Sequence, residues 1–125
     1  MIEFDHVSLL VNNVDTSMAF YEKSFGFKPK RVFEPAPKVK IAILGLGTAE
    51  LGLYEVGSIK SEAAANVLRI GSPTIVFKTN DIQADYKRLA DSGVQFRGAP
   101  KAGKGYINCQ GLDPDNAIFE LVQYM

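Results

Sequence analysis

One histidine and two glutamates, each on a strand-like run, are the residues whose types and spacing could do chemistry here. His6 and Ser8 lie two apart in the alternating run Phe4–Val11, so they share one strand face with Phe4 and Leu10. Glu50, Gly52 and Tyr54 share a face of a second run, Thr48–Tyr54. Glu120 shares a face with Ile118, Val122 and Tyr124 on the last run, which follows the tight-turn sequence Asp113-Pro-Asp-Asn116. A carboxylate on an otherwise apolar face sits at an exposed edge, pairs with a cation, or belongs to a site. An imidazole with two carboxylates suits zinc, nickel, iron, manganese or cobalt. A divalent ion so held would polarise a substrate carbonyl and stabilise an enediolate or similar oxyanion.

The elements that must position these residues come in two similar sets. After the first strand, Asp15 or Thr16 reads as a helix cap, Met18, Tyr21 and Phe25 follow at helical spacing, and Gly26 stops the helix. Lys30–Glu34 and Val39–Leu44 read as strands separated by Pro35-Ala-Pro37, and Gly45-Leu-Gly47 reads as a turn before the Glu50 strand. Thr74–Thr79 opens the second set, with Thr74, Val76 and Lys78 on one face. Asp81 caps a helix carrying Ile82, Tyr86 and Leu89, closed by Gly93. Val94–Arg97 and Tyr106–Gln110 read as strands around a Gly/Pro/Lys loop, before the Glu120 strand. Superposing the sets pairs His6 with Thr74, Leu9 with Phe77, Val14 with Ile82, Gly26 with Gly93 and Glu50 with Glu120. The expectation is an α+β fold of two paired βαβββ modules forming a curved mixed sheet, two half-barrels around a cavity. Module 1 spans about 1–56 and module 2 about 73–125; 57–72 is a linker, with Ser61–Arg69 open to reading as a lid.

Length and apolar content fit a single domain with an ordinary core. The 14 basic and 14 acidic residues balance, which argues against nucleic acid as a partner. No run approaches a membrane span and the start carries no signal-like segment, so a membrane partner is not expected and a cytoplasmic protein is. The lone Cys109 fits a reducing compartment and, by alternation, faces the helix-packed side as an inert thiol.

Three segments resemble the vicinal oxygen chelate superfamily, which includes glyoxalase I, bleomycin-resistance proteins and extradiol dioxygenases. They are Asp5-His-Val-Ser-Leu-Leu-Val11, Ser17-Met-Ala-Phe-Tyr-Glu-Lys-Ser-Phe-Gly-Phe27, and Asp113-Pro-Asp-Asn with Phe119-Glu-Leu121. The resemblance implies a small-molecule ligand in a cavity between modules, and a homodimer whose chains share it. It implies a glyoxalase-like (lactoylglutathione-lyase-like) lyase or isomerase with a single metal on His6, Glu50 and Glu120. There Glu50 or Glu120 would serve as the catalytic base, and Ser8, Tyr54, Thr74 and Tyr124 would contact substrate. Thr74 stands where such members have their second histidine, and a hydroxyl is a much poorer ligand than imidazole. The alternative is a bleomycin-resistance-like protein that binds or sequesters a flat or cationic compound without metal.

Plainer readings stand beside these. His6 would serve equally as a structural histidine bonded within its sheet, and Glu50 and Glu120 as solvated edge carboxylates. Tyr54 and Tyr124 would pack, and Phe20, Tyr21, Phe25 and Phe27 would form core. Lys101 and Lys104 nearly spell a phosphate loop, but Gly105 stands where Ser or Thr is required and a strand follows, so the segment reads as a basic hairpin.

Overall fold

The structure, a computed structural model, describes residues 1–59 and 71–125. The lid expected at Ser61–Arg69 lies outside them. The chain divides into two compact units, Met1–Glu62 and Ala63–Met125. Each is a βαβββ module carrying an open four-stranded mixed sheet, so the α+β architecture expected from the sequence is the one found. No helix among the described residues is long and apolar enough to cross a membrane.

Unit 1 runs β1 (Val7–Leu10), α1 (Val14–Phe25), β2 (Lys28–Ala36), β3 (Val39–Leu46) and β4 (Ala49–Val56). The sheet order is β1-β4-β3-β2, with β1 parallel to β4 and the other pairs antiparallel. The helix α1 packs on β2, β3 and β4. Its inward stripe is Val14, Ser17, Tyr21 and Ser24, rather than the expected Met18–Tyr21–Phe25. Two serines on that stripe let the helix approach Ala42, Leu44, Leu51 and Leu53, all buried. Phe20 and Phe25 are only half-buried, flanking Tyr21 in edge-on and tilted contacts.

Unit 2 runs β5 (Ile75–Lys78), α2 (Ile82–Asp91), β6 (Lys101–Ala102), β7 (Tyr106–Leu112) and β8 (Ile118–Tyr124), ordered β5-β8-β7-β6. Its core gathers Ile82, Leu89, Cys109, Phe119 and Leu121. Phe119 lies across Gly111 and meets Phe77 and Phe96 edge-on. Only a glycine leaves room for that ring: a methyl group at Gly111 would sit 2.4 Å from it.

Several boundaries differ from the sequence expectation. The cap of α1 is Asn13, whose extended backbone lets its side chain accept from Thr16 N–H at 2.9 Å. The β2–β3 turn is at Pro37-Lys38, with Lys38 left-handed, so β2 runs on through Pro35. Gly45 and Leu46 belong to β3, and Gly47 supplies the positive φ of the next turn. Val94–Arg97 is not a strand; Phe96 makes a single bridge to Gly111, and Lys101–Ala102 takes the edge. The Asp113 turn is as expected, with Asn116 left-handed and the buried Asp113 carboxylate accepting from the N–H groups of Asp115 and Ala117.

Candidate functional site

On the face of the unit 1 sheet opposite α1, the strand registers set side chains in rows. Arg31, Ile43, Gly52 and Ser8 form one row, one residue per strand; Phe33, Ile41, Tyr54 and Leu10 form the next. Glu50 faces Gly45 one pair further along β4. Ser8, Arg31, Phe33, Ile41, Ile43 and Tyr54 of these rows, with Glu50, Asp5, His6 and Lys30, line a pocket of about 730 Å³. Of the expected site residues, His6, Ser8, Glu50 and Tyr54 come together there.

Two glycines make the floor possible. A methyl group at Gly52 would stand 2.4 Å from Ser8 Oγ and 2.9 Å from His6 Cδ2, so its absence admits both side chains. Ser8 Oγ lies 2.9 Å from His6 Nε2, and Asp5 Oδ2 lies 2.6 Å from His6 Nδ1. An ionised carboxylate only accepts, so Nδ1 carries the proton shared with Asp5, and in the neutral form of that ring Nε2 accepts from the Ser8 hydroxyl. At Gly45 the missing side chain leaves space for the Lys30 stem, whose ammonium reaches Glu50 Oε2 at 3.3 Å. Lys30 gets there because the register slips between Pro29 and Arg31, leaving Lys30 as the extra residue of a bulge.

Arg31, Phe33, Ile41 and Ile43 were not singled out by sequence reasoning. Their signal is parity: once β2 and β3 pair as a hairpin, these four fall on the Gly52 face. The bulge at Lys30 hides that parity in the sequence. Asp5 was passed over because alternation along the expected strand Phe4–Val11 puts it on the face opposite His6; β1 in fact starts at Val7, and ahead of it the Asp5 carboxylate reaches the His6 ring.

Unit 2 places its expected residues as follows. Glu120 is half-buried on β8, beside Val76 and Gln110, with Asn108 Nδ2 donating to its carboxylate at 3.4 Å. Thr74 precedes β5 and is half-buried, and Tyr124 is 66% exposed at the end of β8. Cys109 is buried, and loss of water with the nearby Glu120 charge pushes its thiol up to about 11.

The registers also fix which residues correspond between modules. Ser8 pairs with Gly52, and Val76 pairs with Glu120. Val11 N–H bonds Tyr54 O, and Thr79 N–H bonds Val122 O. The first helical N–H is taken by Glu55 in one module (2.7 Å) and by Gln123 in the other (2.9 Å). Tyr54, Glu55 and Gly52 therefore correspond to Val122, Gln123 and Glu120. The pairing of Glu50 with Glu120 is two residues out of register: the counterpart of Glu50 is Ile118. Among the described residues no three of His, Cys, Asp or Glu gather as a metal-ligand group.

No curated protein matched the chain in a sequence comparison. Solved structures do resemble it. The glyoxylase/bleomycin resistance protein/dioxygenase domain from Frankia sp. EAN1pec superposes with a TM-score of 0.82 at 21% identity, covering 100% of this chain and 93% of that one. TnmS3, an antibiotic binding protein from Streptomyces sp. CB03234, gives 0.71 at 22% identity over 99% of this chain and 98% of that one. A glyoxalase I mutant from Zea mays gives 0.77 at 21% identity, over 94% of this chain and 43% of that one. At these identities the likeness shows the fold. The family rests on the sequence itself: residues 3–121 match the family model of the Glyoxalase/Bleomycin resistance protein/Dioxygenase superfamily, and the chain belongs to that superfamily.

Proposed function

We propose that the chain is a small-molecule binding protein whose ligand, a planar and partly apolar compound, lies on the Gly52 face of unit 1. The observation that carries this reading is the composition of that pocket. Ile41, Ile43, Phe33 and Tyr54 offer a flat apolar surface, while Asp5, His6 and Ser8 form a bonded polar line along one side. A few polar groups beside an apolar floor is the usual make-up of small-ligand sites. The antibiotic-binding TnmS3 shares the fold and supports the same class of role. Calorimetric titration with a panel of two- and three-ring aromatic compounds tests it. Saturable one-to-one binding, weakened by Ile43→Gln and Tyr54→Ala, is expected; no saturable binding across the panel would overturn it.

A metal-dependent lyase or isomerase is the second reading, and one contact favours it. Asp5 holds His6 Nδ1 as outer carboxylates hold metal-bound imidazoles, leaving Nε2 turned to the pocket. In that version His6, Glu50 and Glu120 would be the ligands, and the ion would supply carbonyl polarisation. The residues fit it less well. Nε2 already faces Ser8, and Lys30 neutralises Glu50. Each ligand position is also filled in only one module: Thr74 corresponds to His6, Gly52 to Glu120, and Ile118 to Glu50. Elemental analysis of protein purified without chelator decides between them, since stoichiometric metal lost in His6→Ala would restore the lyase reading.

The homodimer belongs to the same proposal. Ile2, Phe4 and Leu10 are 99%, 84% and 53% exposed, an apolar surface of the kind a second copy covers. Sedimentation showing monomer alone at tens of micromolar would exclude it.

A further inference from the structure

Two carboxylates, Asp5 and Glu50, and two full cations, Lys30 and Arg31, line the unit 1 pocket. Of the two cations only Lys30 is in an ion pair among the described residues. Asp5 engages His6, and Glu50 engages Lys30. Arg31 has no carboxylate within ion-pair reach among the described residues; its guanidinium lies 4.8 Å over the Phe33 ring. Stacked on an aromatic face, a guanidinium keeps its edge N–H groups free. That planar fork matches a carboxylate through two parallel hydrogen bonds.

The Arg31 row then sets length and shape. Arg31, Ile43, Gly52 and Ser8 stand on four adjacent strands, so roughly 14 Å separates the outer backbones at a spacing of about 4.8 Å per strand. The middle of the row is apolar at Ile43, which presents only aliphatic surface, while the Ser8 hydroxyl and the His6 ring fill the space over Gly52. At the far end, with the His6 ring neutral and its proton on Nδ1, the Ser8 hydroxyl donates to Nε2 and its oxygen is left as an acceptor beside the pocket. One end of the row therefore calls for an anion and the other for a hydrogen-bond donor, with a flat apolar body between them.

We infer that the ligand is a planar aromatic acid, its carboxylate held by Arg31, its rings over Ile43 and Ile41, and a hydroxyl at its opposite end donating to Ser8. This rests on the unit 1 pocket being the binding site proposed above, and it names the class of compound bound there.

The test is calorimetric titration of the full chain with three probes. The first is a hydroxynaphthoate carrying its hydroxyl and carboxylate at opposite ends of the two rings. The second is its carboxamide, and the third is the naphthoate without the hydroxyl. The hydroxynaphthoate binds at least about tenfold tighter than the carboxamide, the difference expected of charge-assisted hydrogen bonds. Arg31→Met weakens the acid more than the carboxamide and so removes that preference, and Arg31→Lys restores part of it. Ser8→Ala removes the preference for the hydroxylated acid over the plain one. Equal affinity for acid and amide, or a preference that survives Arg31→Met, overturns the ligand class while saturable amide binding leaves the pocket reading standing. Absence of binding by all three probes overturns both.

Discussion

Gly52 and Glu120 occupy the same place in their modules, one beside Ser8 on β1 and the other beside Val76 on β5. A duplicated module has thus diverged at its most chemically useful position. In unit 2 the position carries a carboxylate, supported by Asn108. In unit 1 it carries nothing, and the vacated space holds Ser8 and the imidazole of His6. The polar line of Asp5, His6 and Ser8 is therefore a property of Gly52 as much as of its own members.

That dependence predicts a large effect from a small change. Gly52→Ala would put a methyl group 2.4 Å from Ser8 Oγ, and overpacking of this kind costs about 1–3 kcal/mol. Urea denaturation should show the loss. Ser8→Ala removes the clashing hydroxyl, so the Gly52→Ala/Ser8→Ala double variant should recover part of it. Strictly additive losses would mean that Gly52 matters for some other reason.

How much of this could be read ahead follows from where periodicity was intact. His6, Ser8, Glu50 and Tyr54 were legible because β4 alternates without interruption, and the residues leading into β1 keep its parity. Arg31 and Phe33 were not, because the bulge at Lys30 breaks the alternation of β2. The repeat was legible in kind but not in register. Glu50-Leu-Gly-Leu-Tyr54 and Glu120-Leu-Val-Gln-Tyr124 share the same Glu-to-Tyr spacing, and that likeness suggests a pairing of Glu50 with Glu120 that is two residues away from the correspondence the registers fix. The positions that fix it, Glu55 and Gln123, look unlike each other in charge and alike only in reach. Val94–Arg97 reads as a strand by residue type, yet it makes just one bridge, because β7 finds its partner at Lys101–Ala102.

Glu55 and Gln123 should matter to stability more than surface polar residues do. Each accepts the first N–H of its helix, a donor with no partner inside the helix. Glu55→Ala and Gln123→Ala should each cost about 1–2 kcal/mol in denaturant unfolding. Glu55→Gln keeps the accepting oxygen and should cost much less. If Glu55→Gln were as damaging as Glu55→Ala, charge rather than hydrogen bonding would explain the residue.

Lys30 and Glu50 should behave in the opposite way, mattering little to stability and more to binding. The pair is 53% and 31% exposed, and such ion pairs contribute about 0–1 kcal/mol. Glu50→Gln should lower the melting temperature by no more than about 4 °C. It would also release Lys30 into a pocket that already holds Arg31. Affinity for an aromatic acid should rise, and the gain should shrink as salt is added. A salt-independent gain would point to shape rather than charge.

Cys109 gives a prediction in pH. Its thiol is pushed from 9.0 to about 11 in the folded chain, first by burial and then by the negative charge of Glu120. The folded state therefore keeps a proton that the unfolded state releases earlier. The resulting stability is fully present below pH 9 and is lost as pH rises toward 11. Wild type should lose stability across that window, and Cys109→Ala should lose less of it, because the replacement has no proton to release. The same protonated, buried thiol should react slowly with iodoacetamide at neutral pH and rapidly once the chain is unfolded in urea. Fast alkylation of the native protein at neutral pH would show that Cys109 is not enclosed between β8 and the helix-packed side of its sheet.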